Sequence, residues 1–127
     1  MVGFVCNGDQ QYAGKHLLID LYNCERHGSQ QDIEQIMISS CEATGATVLH
    51  SYLHPFTGGG VSGAIILAES HSSLHTWPEI GFVSLDIFVC GDCDPYLAVP
   101  GLLEWFQPQR HNVTEHCRGV MPAIAVA

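Results

Sequence analysis

The chain has 127 residues, is 46% hydrophobic and only 13% charged, and carries a formal net charge of −9. That length suffices for one domain, residues 1–127, with a core of its own. With 4 Lys and Arg against 13 Asp and Glu there is no basic cluster to neutralise phosphates, which excludes nucleic acid and anionic membrane as expected partners. A cationic or zwitterionic small molecule suits this field, and so apolar a small chain is expected to cover surface against a second copy of itself.

Met1–Gly14 mixes polar and apolar residues without the apolar segment of a secretory leader, and no run is long enough to span a bilayer. The cysteines Cys6, Cys24, Cys41, Cys90, Cys93 and Cys117 fall inside expected strands and a helix rather than in loops. A cytoplasmic chain with reduced thiols is the expectation.

His16–Tyr22 alternates, with Leu17, Ile19 and Leu21 on one face and Leu18, Asp20 and Tyr22 on the other, as in a half-buried strand. Ser29 reads as a helix N-cap with Asp32 three positions on. Ile33, Ile36, Met37, Ser40, Cys41 and Thr44 then share one helical face, and Gly45 ends the helix. Ala46–Phe56 reads as a strand, Thr57–Gly60 as a turn, and Val61–Glu69 and Ile80–Cys90 as two further strands. Asp94-Pro95 opens a second helix towards Phe106, with Pro100-Gly101 kinking or restarting it, and His111–Val120 is a candidate last strand. The order β-α-β-β-β-α with hairpin-like connections predicts an α+β two-layer sandwich. Its sheet is mostly antiparallel, with two helices packed on one face. The mixed strand faces, carrying Ser62, Asp86 and Cys90, would look away from the helices.

The chemistry concentrates in Ala68-Glu69-Ser70-His71, His75-Thr76-Trp77-Pro78-Glu79 and Cys90. Ser-His adjacency suits hydrolysis, but the G-x-S-x-G elbow is absent. Self-processing fits better: Ser70 Oγ attacks the Glu69 carbonyl, and elimination from the resulting ester leaves a pyruvoyl group. His71, His75, Cys90 and Cys93 invite a metal. However, H-x-x-x-H lacks the glutamate of a zincin helix, and Cys90-Gly91-Asp92-Cys93 has no second pair at zinc-ribbon spacing, so no metal is expected. Cys90, on the strand face of Asp86, is placed to donate a proton. Phe56 and Trp77 offer platforms for a purine, and Glu79 a carboxylate for ribose hydroxyls.

With those residues in view, the chain resembles the small prokaryotic class of S-adenosylmethionine decarboxylase. The likeness runs through Gly14–Tyr22, Gly45–Leu49, Gly60–Gly63, Ala68–His71 with His75–Glu79, and Leu85–Gly91, about residues 14–106 in all. It implies a pyruvoyl cofactor derived from Ser70, with cleavage between Glu69 and Ser70 into a β chain, 1–69, and an α chain, 70–127. By the same resemblance His75 and Ser62 assist processing, and Cys90 is the proton donor in decarboxylation. Phe56 and Trp77 flank the adenine of S-adenosylmethionine, and Glu79 holds its ribose. Decarboxylation would run through a Schiff base and yield an aminopropyl donor for spermidine. Protomers would pair as a homodimer of αβ units with sites built from both chains. Cys93 and the other additional cysteines depart from the family motif. The alternatives are a pyruvoyl-dependent ornithine or arginine decarboxylase, a non-catalytic partner subunit, and a zinc-binding module.

Overall fold

The computed structural model describes residues 5–7 and 10–122, so the reading of Met1–Gly14 falls partly outside the described residues, as does the side chain of Cys6. The main body is a six-stranded sheet, antiparallel throughout. A small three-stranded sheet joins β1 (Val5–Asn7), β2 (Gln10–Tyr12) and β9 (Met121–Pro122). Across the large sheet the order is β4 (Val48–Pro55), β5 (Val61–Leu67), β6 (Ser70–Trp77), β7 (Phe82–Cys90), β3 (Gly14–Tyr22) and β8 (Arg110–Arg118). Two helices, α1 (Gln30–Ala43) and α2 (Val99–Phe106), cover one face. The α+β sandwich read from the sequence is therefore the fold.

Alternation decides which side of each strand is buried. In β3, Leu17, Ile19 and Leu21 are buried while Leu18 on the opposite face stays exposed; in β7, Val83, Leu85, Ile87 and Val89 are buried. These meet Ile33, Met37 and Cys41 of α1 and Leu102 and Phe106 of α2 in one core. Each such side chain contributes roughly 1.5–3 kcal/mol by leaving water. Helix α1 starts where expected: Ser29 Oγ accepts from the Asp32 amide, and the Asp32 carboxylate accepts from the Ser29 amide. It stops at Thr44, with Gly45 in the left-handed region at φ +96°. Asp94 caps a short 3₁₀ turn, Pro95–Ala98, and α2 restarts at Val99 with Pro100 in its first turn, where a missing amide costs nothing.

One expectation needs correction. The strand expected over Val61–Glu69 ends at Leu67, because Ala68 and Glu69 form a hairpin turn closed by the Leu67–Ser70 pair. The segment after it, given no element above, is strand β6, which sits inside the sheet between β5 and β7. Its core-facing residues are Ser72, Leu74 and Thr76, two of them polar, so hydrophobic periodicity is blind to it. The hydroxyls are buried because they are bonded: Ser72 Oγ donates to the Asp86 carbonyl at 2.6 Å, and Thr76 Oγ1 accepts from the Val61 amide at 2.9 Å.

The helix cap yields a direct prediction. Ser29→Ala should lower unfolding stability by about 1 kcal/mol, read as a lower urea midpoint at unchanged slope, while Ser29→Asp should retain most of it.

Candidate functional site

The sheet divides the residues singled out from the sequence into two groups at opposite ends of the same strands. At one end, the turn between β5 and β6 brings Glu69 and Ser70 against the last residue of β7. The Cys90 thiol donates to the Glu69 carbonyl oxygen at 2.9 Å, and the Cys90 amide donates to Ser70 Oγ at 3.2 Å. Glu69 stands at φ +62°, in the left-handed region. For a residue with a Cβ that conformation costs roughly 1–2 kcal/mol. The peptide bond between Glu69 and Ser70 therefore begins at a strained residue, with its carbonyl polarised by a thiol and the neighbouring hydroxyl held in place. Burial pushes the Cys90 thiol up from its ordinary range; a hydrogen bond with the Ser70 hydroxyl opposes the rise, and the nearby Glu69 and Cys93 add to it. A raised thiol stays protonated at neutral pH, the state a proton donor requires.

At the other end of β6, His75 Nδ1 and Ser62 Oγ lie 2.7 Å apart across the paired strands β5 and β6. Trp77 stacks on Phe82 with centroids 5.3 Å apart, and His75 lies 5.9 Å from Trp77. Phe56, just past β4, packs edge-on against His54 and is 52% exposed, while Trp77 is 39% exposed. Glu79 is exposed in the 3₁₀ turn Pro78–Ile80 that follows. Aromatic rings and a carboxylate open to solvent suit a ligand or a partner better than a core.

The two ends do not meet within one chain. Ser70 and His75 are five positions apart on a fully paired strand. At about 3.3 Å per residue they are roughly 16 Å apart, and Trp77 is farther still. Thus Ser70, Glu69 and Cys90 are brought together, as are Ser62, His75 and Trp77; Phe56 lies beside His54 and Glu79 in the turn after Trp77, and the two ends remain separate.

Between them, on the open sheet face, lies a third group. Arg118 Nη1 donates to His16 Nδ1 at 3.1 Å, and His16 Nε2 meets Asp86 Oδ2 at 2.6 Å. Asp86 Oδ1 accepts from both the amide (2.8 Å) and the hydroxyl of Ser73. Burial would raise the Asp86 carboxyl, but hydrogen bonds from the Ser73 hydroxyl, His16 and the Ser73 amide outweigh it and hold it below the usual carboxylate range. The nearest ligand atoms of His16, His71 and Asp86 all fall within 4.8 Å of one another. Because Arg118 donates to Nδ1, His16 carries its proton on Nε2, facing Asp86. A metal-bound imidazole presents the reverse polarity, with its outer nitrogen donating, so the group is organised as a hydrogen-bond relay. Asp86 and its face were legible from alternation. The pairing with His16 and Arg118 was not, because it depends on β3 lying between β7 and β8.

Comparison with known proteins bears on this arrangement. Residues 15–119 match the family model described as S-adenosylmethionine decarboxylase. The chain is 40% identical over 116 residues to the S-adenosylmethionine decarboxylase proenzyme of Thermosipho africanus, covering 89% of each protein. It is 36% identical over 114 residues to the proenzyme of Methanococcus aeolicus, covering 87% of this chain and 97% of that one. Its fold matches the crystal structure of the adenosylmethionine decarboxylase from Aquifex aeolicus with a TM-score of 0.78 at 29% identity, covering 90% of this chain and 97% of the other.

The Asp86 network predicts a pH signature. A carboxyl depressed by folding stabilises the folded state above its unfolded value, about 3.9, and that contribution is lost as pH falls through the folded value. Asp86→Asn should therefore melt below the parent chain at pH 7, with the difference shrinking below about pH 4, as followed by thermal unfolding across pH.

Proposed function

The chain belongs to the S-adenosylmethionine decarboxylase family, and on that premise we propose that it is made as a proenzyme that cuts itself between Glu69 and Ser70 and then decarboxylates S-adenosylmethionine. The observation that carries this reading is the contact set at the β5–β6 turn, where a strained Glu69, the Ser70 hydroxyl and the Cys90 thiol converge. Ser70 Oγ attacks the Glu69 carbonyl carbon; the new C–O bond replaces the peptide C–N bond, and the freed nitrogen takes a proton. The Cys90 thiol and its hydrogen bond offset charge developing on the Glu69 oxygen. A base then removes the Ser70 α-proton, the Cβ–Oγ bond breaks, and Glu69 departs as a carboxylate. Tautomerisation of the dehydroalanine, addition of water and loss of ammonia leave residue 70 as a pyruvoyl group.

The residues around it suit such a group: it stays covalently in the strand, beside the Cys90 thiol. When formed, the pyruvoyl ketone supplies an electron sink that holds the substrate amine and accepts the electron pair left as carbon dioxide departs. Cys90 then returns a proton to the substrate α-carbon. Phe56 and Trp77 bind adenine and attract the sulfonium, and Glu79 accepts hydrogen bonds from the ribose.

His75 is the base of processing. In the tautomer whose Nδ1–H donates to Ser62 Oγ, its Nε2 lone pair is free to take a proton. Since about 16 Å of strand separates it from Ser70 in one chain, it acts on the partner's turn. The homodimer that follows packs the open sheet faces together about a two-fold axis perpendicular to the strands, so the Ser70 end of one sheet lies over the His75 end of the other. Exposed Leu18, Ile66 and Trp77 on that face support the pairing. The whole chain serves as one domain, cut into 1–69 and 70–127. Among the described residues no helix is long and apolar enough to cross a membrane, and Cys24, Cys41, Cys90, Cys93 and Cys117 are free thiols, which supports a cytoplasmic enzyme.

Mixing variants tests this. Ser70→Ala should remain uncut and inactive, and His75→Ala alone should cut slowly. Co-refolding the two should restore cutting of the His75→Ala chain and produce decarboxylation of S-adenosylmethionine but not of ornithine or arginine. Failure of the mixture to cut, with each variant folded and dimeric, would rule out the shared site.

A further inference from the structure

We propose that Cys90 and Cys93 form a reversible dithiol–disulfide couple, a modification site that silences the chain by tying up the Cys90 thiol. The inference rests on the decarboxylase reading for its consequence, though not for its chemistry. Cys90 ends β7, and the Cys93 amide donates back to the Cys90 carbonyl at 3.4 Å across Gly91 and Asp92. That contact closes a turn, with Gly91 at φ +62°. Turns of this kind hold their first and fourth Cα atoms within about 7 Å, and disulfides take Cα separations of about 4.4–6.8 Å. The bridge therefore requires side-chain rotation at a strand end, with no refolding of the sheet.

Both thiols are free and partly exposed. Ionising Cys93 opposes ionising Cys90, as expected of neighbours. Cys93 Sγ packs at the edge of the core beside the end of α1, 3.8 Å from where a side chain on Gly45 would begin, so the bridge takes it out of that contact. Cys41 is buried, and Cys117 sits on β8, separated from β7 by β3. Cys24 lies at the far end of β7, its amide on the Gly81 carbonyl, so among the described thiols Cys93 is the natural resolving partner for Cys90.

The chemistry balances with a small-molecule disulfide of the glutathione class as oxidant. Cys90, in the small fraction that ionises, attacks one sulfur of that disulfide, displacing one thiol and forming a mixed disulfide. Cys93 then attacks Cys90 Sγ and displaces the second. Two S–H bonds are lost, one S–S bond is gained, and the oxidant leaves as two reduced thiols. Oxidation removes the thiol that faces Glu69 before cleavage and the proton that the mature enzyme returns to substrate. One bridge therefore slows processing and stops turnover, and reduction restores both.

The test uses the processed enzyme equilibrated in glutathione redox buffers, acid-quenched, alkylated with iodoacetamide and digested with trypsin. The fragment 70–110 contains Cys90 and Cys93 as its only cysteines. Under oxidising buffer it should take up neither an alkyl group nor glutathione, while activity falls about tenfold or more and recovers on reduction with the same midpoint. Cys93→Ser should keep its basal turnover and instead retain glutathione on Cys90. A wild-type fragment that keeps both alkylatable thiols, or that accumulates a stable glutathione adduct, overturns the couple. The same mass measurement on uncut Ser70→Ala scores the bridge even where decarboxylation fails, with Cys41 in fragment 27–110 as an internal reduced control.

Discussion

The register of β6 between β5 and β7 is the constraint from which the rest of the molecule follows. Pairing Leu67 with Ser70 forces the chain to reverse in two residues, and only Glu69 of that turn adopts a positive φ. A glycine would sit there without strain; glutamate does so because two ladders of backbone hydrogen bonds fix the strands on either side. The same ladders place Cys90 beside the turn and hold His75 well away from it. On the proposed reading, a strained bond with a polarised carbonyl and a distant base is incomplete in one chain and is completed by a second.

The sheet keeps its faces distinct in a way that serves this arrangement. Toward the helices its buried side chains are apolar apart from Ser72 and Thr76, each satisfied by a backbone partner. Away from them it alternates exposed apolar residues with a charged island of Arg118, His16 and Asp86. Such an island gains little stability from burial, because desolvation offsets its Coulomb attraction. What it offers is position: an off-register pairing of two such faces would set Asp86 or Arg118 against apolar surface and leave it unpaired.

Strands with regular apolar alternation were legible from the residues alone. In β3 and β7, Leu17, Ile19, Leu21 and Val83, Leu85, Ile87, Val89 define the buried face without help from context. The start of α1 was equally plain, because Ser29 and Asp32 satisfy each other's backbone locally. Strand β6 was hidden because hydroxyls occupy two of its buried positions, and whether a buried hydroxyl is tolerated depends on a partner that only the folded sheet supplies. The site shows the same division. Glu69, Ser70, His75, Trp77, Glu79 and Cys90 stand close in sequence and carry their own chemistry. Their separation into two groups follows from the extended strand Ser70–Trp77, which the sequence pattern does not reveal.

On the proposed reading every later step depends on scission of the chain at Ser70, and the intact mass of freshly purified protein under denaturing conditions tests it most directly. The account predicts two species, one ending at Glu69 and one beginning at residue 70, the second lighter by one ammonia than a chain starting with free serine and shifted by borohydride reduction of its ketone. A single uncut species that nevertheless decarboxylates S-adenosylmethionine would contradict it.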